Sequence, residues 1–203
     1  FPPGGPTDVM GRVVAKILSD KLGESVVVEN KPGAGGNLGT DAVAKALADG
    51  YTIGLAAVSS LAIAPSLYPK LPYDVKKDFT PITRVGITKG AIVAHPSVPF
   101  NDIKGLVAYA KANPGKLSYG SSGVGTANHL AGEMLEATAG IDMVHVPYKG
   151  TAPLTQDLLG GQVPMSVESS LTSAGPNPQE GKTKTNAIIS RTRSPPRPDP
   201  PPA

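Results

Sequence analysis

Apolar residues recur at helical spacing near the start of the chain. Val9, Met10, Val13, Val14, Ile17 and Leu18 line one side of a helix predicted from Thr7 to Leu22. Gly5-Pro6-Thr7-Asp8 supplies its start, with proline at the first helical position and an acid in the first turn, and Gly23 supplies its stop. The period then changes. Ser25 to Glu29 is a short β-branched run that reads as a buried strand. Lys31 to Gly36 is a glycine-rich turn, and Asn37 to Ala48 is a helix with Leu38, Ala42, Val43 and Leu47 on one side. Tyr51 to Ala56 reads as a strand and Ser59 to Leu67 as a short helix. A proline-interrupted loop from Tyr68 to Thr80 leads to strands at Ile82 to Val85 and Ala91 to Ala94.

A second series follows. Helices are predicted over Ile103 to Asn113, Thr126 to Thr138 and Pro153 to Leu159, and strands over Leu117 to Tyr119, Met143 to Val146 and Val163 to Val167. Alternating strands and helices specify an α/β fold, here a mostly parallel sheet with helices on both faces. The rhythm restarts after about Pro96. Residues 1–95 therefore form a first lobe, 96–173 a second, and 174–203 a tail. The tail is rich in proline and arginine and reads as an extended, solvated end with one strand-like run, Asn186 to Ser190.

Composition narrows the chemistry. The 203 residues suffice for one ordinary domain or two small lobes. There is no cysteine, so disulfides and thiolate chemistry are excluded. The net charge of +3 is small, and lysines and arginines are scattered apart from Lys182, Lys184, Arg191 and Arg193, a solvated face near the chain end. Nucleic acid needs a basic stripe with stacking aromatics, and neither is evident. No stretch is long and apolar enough to cross a bilayer. The chain opens at Phe1 in a glycine-proline turn without a signal peptide, and reads as a mature or trimmed chain.

Three small-residue turns lead into helices: Phe1 to Asp8, Lys31 to Asn37 and Ser121 to Thr126. Helix starts offer unpaired N–H groups, and glycine lets a ligand approach the backbone. Each turn alone is equally a chain reversal; together they point to an anion site built from backbone donors. Catalytic patterns fail. Gly33 to Gly39 is not a dinucleotide fingerprint, because its third glycine falls one place late, and it has no Gly-Lys-Ser/Thr ending. Gly120 to Gly125 lacks the spacing of a nucleophile elbow. His95 and His145 read as packing residues. His129, in the first turn of a helix, is either a donor to a bound carboxylate or a surface residue near a cap. No histidine-acid cluster suggests a metal. Asp8 suits a helix start electrostatically, and Glu168 ends a strand.

These residues carry a resemblance. Phe1-Pro2-Pro3-Gly4-Gly5-Pro6-Thr7-Asp8 resembles the first ligand turn of the Bug or TctC family, the periplasmic receptors of tripartite tricarboxylate transporters. Val28 to Asn37, Asp49 to Thr52, Pro65 to Tyr68, Asn113 to Leu117, Ser121 to His129, Val146 to Gly150 and Leu158 to Gln162 are similar to further family motifs, over roughly residues 1 to 173. The resemblance implies a type II periplasmic-binding-protein-like α/β fold, with two lobes closing on a ligand cleft. It implies a small carboxylate ligand such as a dicarboxylate, an acidic amino acid or an aromatic acid. It also implies membrane transporter subunits as partners, a periplasmic location, a monomer, no cofactor and no enzymatic activity.

Carried over as ligand-binding residues are Pro3, Gly4, Gly5, Thr7 and Asp8, with Ser59 and Ser60 from the same lobe. From the second lobe come Ser122, Gly123, Thr126, His129, Tyr148, Lys149, Gly150 and Glu168. The chain departs from the family in lacking its first strand and signal peptide. In the tail, landmarks such as Ala174-Gly175-Pro176 persist while the apolar positions between them have become polar. An α/β enzyme using Ser122 and His129 on an acyl or phosphorylated substrate is the alternative, as is a sensory binding module. The enzyme needs a third group to orient His129, and the sequence offers none.

Overall fold

The computed structural model describes residues 1–170 and 181–190; the expectations for the rest of the tail lie outside the described residues. Internal contacts divide the chain into two compact units, Phe1–Val85 and Gly86–Ala203. This division falls earlier than the one read from the sequence, because the run at Ala91 to Ala94 hydrogen-bonds within the second unit.

In the first unit, α1 spans Pro6–Leu22 and stops at Gly23, whose φ of 73° lets its N–H return to the Ser19 carbonyl. A 3-10 turn, Ala34–Gly36, leads into α2, Asn37–Ala44. A π turn, Ser59–Ile63, runs into the short α3, Ala64–Leu67. The strands expected at 25–29, 51–56 and 82–85 do not form; among the described residues none lies in the first unit. A strand is a property of a pair, and among the described residues no partner strand is formed for these runs. Val27 is accordingly 83% exposed, and Ile53 and Ile82 also lie open to solvent. Part of the α1 stripe is similarly uncovered: Val9, Val13 and Ile17 are each at least half exposed, while Met10, Val14 and Leu18 are half-buried. Ala15, Ala64 and Tyr73 are the buried apolar residues of this unit among those described.

So little burial predicts low local stability, since opening free energy follows buried apolar contact. In native-state hydrogen exchange, amides of α1 are expected to exchange well before those of the central strands of the second unit. Equal protection in both units would refute this.

The second unit follows its sequence pattern closely. Its elements are β1 (Gly90–Ala94), α4 (Ile103–Ala112), β2 (Ser118–Ser121), α5 (Ala127–Ala139), β3 (Val144–Pro147), α6 (Thr151–Leu159), β4 (Met165–Glu168) and β5 (Lys184–Ile189). The sheet order is β3-β2-β4-β1-β5. β2 runs parallel to β3 and β4, whereas β1 is antiparallel to β4 and β5. The sheet is thus mixed, not mostly parallel. Alternation of strand and helix implies crossovers, but it does not set the direction of a strand whose partners arrive much later in the chain.

Both faces are covered. Ile92, Tyr119, Met165 and Val167 pack with Leu106 and Ala110 of α4 on one side. Ala91 and Val93 pack with Leu154 and Leu158 of α6 on the other. Burying each such large side chain contributes roughly 1.5–3 kcal/mol. Because β2, β3 and β4 are parallel, their carboxyl ends at Ser121, Pro147 and Glu168 lie along one sheet edge. Ligands of open α/β sheets bind beyond that edge.

Candidate functional site

The turn after β2 is built to hold a fixed shape. Gly123 has φ 137°, in the region closed to residues with a Cβ. Its N–H donates to Ser121 Oγ at 3.2 Å, and its carbonyl accepts from Thr126 Oγ1 at 2.6 Å. Thr126 caps α5, its hydroxyl oxygen accepting the His129 N–H at 3.4 Å. Ser122 Oγ donates to Asn128 Oδ1 at 3.1 Å, and Asn128 Nδ2 donates to the Val167 carbonyl at 2.9 Å, pinning the start of α5 to β4. The neighbouring turn is tied in by the Tyr148 N–H to the Ser121 carbonyl, 2.9 Å, and the Gly150 N–H to the Ser122 carbonyl, 3.2 Å. Gly150 then caps α6. Tyr148 points its hydroxyl at Asp157 Oδ2, 2.9 Å, and burial together with that contact pushes its pKa up to about 12. Lys149 is exposed.

His129 has partners inside the chain at both ring nitrogens. Nδ1 accepts the Gly125 N–H at 3.3 Å, and Nε2 lies 3.5 Å from Glu133 Oε1. Its ring is 4.1 Å from that of His145, which stacks on Tyr119 and reaches Ser121 Oγ at 2.7 Å through Nε2. Burial and the facing imidazole hold the His145 pKa below the ordinary histidine value. Glu168, at the end of β4, is 2% exposed. Its Oε1 accepts from Ser166 Oγ at 2.9 Å, while Oε2 has no partner. Burial raises its pKa from 4.5 to about 7.

In the first unit, Asp8 organises the opening turn. Its carboxylate accepts from Arg12 Nε at 3.1 Å, the Gly4 N–H at 2.9 Å and Asn30 Nδ2 at 2.9 Å. Arg12 first, then the Gly4 and Asn30 bonds, hold its pKa down at about 2. Asn30 also donates to the Phe1 carbonyl, so residues 1–8 and the start of the glycine turn are brought together. The Phe1 ring packs where a Cβ on Gly36 would stand. Pro3 and Gly4 are exposed, and Gly5 and Thr7 half-buried.

The segment at Ser59 and Ser60 joins the glycine turn through Tyr73, whose hydroxyl lies 2.9 Å from Asn37 Oδ1 and 2.8 Å from the Ser60 carbonyl. Ser59 and Ser60 are both buried. Ser60 Oγ donates to the Ala57 carbonyl, whereas Ser59 Oγ has no partner. The opening turn, the glycine turn and the Ser59–Ser60 segment are thus tied together within this unit. Arg12, Asn30, Asn37 and Tyr73, which draw them together, were not singled out by the sequence, nor were Asn128 and Ser121 in the second unit. Asn30 and Asn37 flank the glycine turn, which is the signal that could have found them.

Residues 10–202 match the family model for the tripartite tricarboxylate transporter family receptor, TctC. The chain belongs to this family. It is 41% identical over 195 residues to Protein BugT of Bordetella pertussis, an alignment covering 96% of this chain and 60% of that protein. A solved structure described as a periplasmic transporter matches with a TM-score of 0.94 at 44% identity, over 100% of this chain and 67% of that one. An R. palustris protein solved with adipate matches with a TM-score of 0.95 at 33% identity and the same coverage. The TctC chain described here thus spans about 60% of the length of the curated relative. Its α/β architecture is that of periplasmic binding proteins, as the sequence implied. Among the described residues, no helix is long and apolar enough to cross a membrane.

Proposed function

We propose that this TctC chain is the ligand-capturing part of a periplasmic receptor, which takes up a small carboxylate and, as a monomer, delivers it to the membrane subunits of a tripartite tricarboxylate transporter. One observation carries the reading: Ser59 Oγ is buried and unpartnered beside converging glycine-opened turns of the first unit. A buried hydroxyl without a partner is costly, and an anionic oxygen would satisfy it with a charge-assisted bond. The turns of the second unit offer further neutral donors, which can replace a carboxylate's hydration without a buried cation. Pro3, Gly4, Gly5, Thr7, Ser59 and Ser60 in the first unit, and Ser122, Gly123, Thr126, Tyr148, Lys149 and Gly150 in the second, are the residues we assign to capture. Asp8 and His129 shape their turns from behind. The adipate bound by the R. palustris relative is a ligand of the expected class.

The enzyme reading is disfavoured by geometry. Ser122 gives its hydroxyl to Asn128, and the His129 nitrogens face Gly125 and Glu133. A nucleophile needs its base within hydrogen-bond reach. Calorimetry with adipate and a panel of small mono- and dicarboxylates is expected to show binding of at least one member. Ser59→Ala should weaken that binding by about tenfold or more, the value of one charge-assisted bond, while the thermal stability of the ligand-free protein is equal or higher. Absence of heat for every member, or equal affinity in Ser59→Ala, would overturn the proposal.

A further inference from the structure

We propose that His129 is a pH-sensitive clasp on the ligand turn of the second unit: neutral, it holds Gly125 in place; protonated, it lets the turn loosen and the ligand go. This rests on the reading of residues 121–126 as part of the capture site. The central contact is the Gly125 N–H donating to His129 Nδ1 at 3.3 Å. A ring nitrogen can accept only while it carries no proton, so the observed bond requires Nδ1 bare and places the imidazole hydrogen on Nε2. Nε2 faces Glu133 Oε1 at 3.5 Å. Adding a proton to Nδ1 turns the acceptor into a donor that points at another donor. The Gly125 N–H, on a buried glycine with φ 76°, then loses its partner.

The surroundings make this a switch rather than an ordinary histidine contact. Glu133 lies one helical turn along α5 and rewards a positive charge on His129. On the other side, the His145 ring of β3 lies 4.1 Å away and penalises it. Tyr119 of β2 stacks on His145 and donates its hydroxyl to Glu133 Oε1 at 2.8 Å, fixing that carboxylate beside the pair. Glu136, on the same helix, interacts electrostatically with His129, and Asp142, just before β3, acts on Glu136. Burial disfavours charge on His145, whereas His129 is the ring whose Nδ1 holds the Gly125 N–H. Ser121 links the pair to the turn from beneath, its Oγ 2.7 Å from His145 Nε2 and also bonded to the Gly123 N–H. Both ends of the turn therefore rest on the two imidazoles.

The test has two arms. In the ligand-free full chain, NMR should show the Gly125 amide shift moving with the same midpoint as the His129 ring. In His129→Asn, whose side-chain oxygen can take the place of Nδ1 but cannot titrate, that movement should vanish. In the second arm, calorimetry with adipate should show affinity falling by about tenfold from pH 7.5 to 5.0, the loss of one backbone hydrogen bond. His129→Asn should lose this fall, leaving only the pH dependence that Glu168 contributes to both proteins.

A Gly125 amide that stays still while His129 titrates overturns the clasp. So does an equal pH dependence in wild type and His129→Asn. Failure of adipate and the carboxylate panel to bind at pH 7.5 would overturn the receptor reading instead, leaving the NMR arm to decide the clasp.

Discussion

Between pH 4.5 and pH 8, replacing Glu168 by glutamine is expected to shift stability in favour of the variant by about 3 kcal/mol. The reason is burial. Glu168 is 2% exposed on β4, and loss of hydration raises its pKa from 4.5 to about 7. The hydrogen bond from Ser166 Oγ opposes that rise but does not cancel it, and Oε2 has no partner at all. The sign follows from proton counting. Above pH 4.5 the unfolded chain has lost this proton while the folded chain still holds it. The wild type therefore loses stability as pH rises through this window, until Glu168 ionises in the folded state near pH 7. Glutamine has no proton to lose. Urea unfolding of both proteins at the two pH values, followed by far-UV circular dichroism, isolates the effect, because every other titrating group is shared. A variant-minus-wild-type difference that is the same at both pH values would show that Glu168 ionises as an exposed carboxyl does. Its place at the carboxyl end of β4 also means that the charge at that end of the second unit's sheet depends on whether this burial persists.

Much of the second unit was legible in the sequence because its elements carry their own boundaries. Asp102 caps α4 with its carboxylate on the Gly105 N–H at 2.7 Å, Thr126 caps α5, and Gly140 closes α5 in a left-handed conformation. Such signals act over three or four residues and survive any change elsewhere. The strands expected in the first unit carried the same composition as those that formed. A run such as Val26 to Val28 specifies an extended backbone, but only a partner strand makes it a sheet, and partners are not written into the run itself.

The site divides along the same line. Its glycines are visible because a turn demands them locally. The side chains that hold the turns are not, because their partners are remote in sequence: Asn30 reaches Asp8, Tyr73 reaches Asn37, and Asn128 reaches the carbonyl of Val167, 39 positions away. His145 read as a packing residue, and His129 as either a ligand donor or a surface residue. Their rings, tilted by 36° with centroids 4.1 Å apart, couple two residues that the sequence treats separately. Asp8 read as a helix-start acid, and it does sit there, but three donors around it make it the knot of the opening turn.

Alanine in place of Gly132 is expected to lower stability by about 3 kcal/mol, the upper end for overpacking a core. The sign is opposite to the usual one, since alanine normally gains about 1 kcal/mol over glycine within a helix. Gly132 is buried in α5 against the ring of Tyr119, where a Cβ would meet two ring carbons and stand 2.7 Å from the hydroxyl oxygen. Tyr119 cannot retreat. It is fully buried on β2, its hydroxyl is bonded to Glu133 at 2.8 Å, and its face stacks on His145 with centroids 5.0 Å apart. The helix must therefore move off the sheet, taking with it the cap at Thr126, the Asn128 tether to β4 and the clasp at His129. Loss of stability should for that reason come with weaker carboxylate binding. Gly11 in α1 supplies the internal control: a Cβ there would meet Leu55 Cδ2 at 3.6 Å, an ordinary contact. Gly11→Ala is thus expected to stabilise by about 1 kcal/mol. Urea unfolding of the two variants should give opposite signs. Stabilisation by both would mean that α5 and Tyr119 are packed loosely enough to absorb a methyl group, and the rigid platform beneath the second unit's ligand turn would be gone.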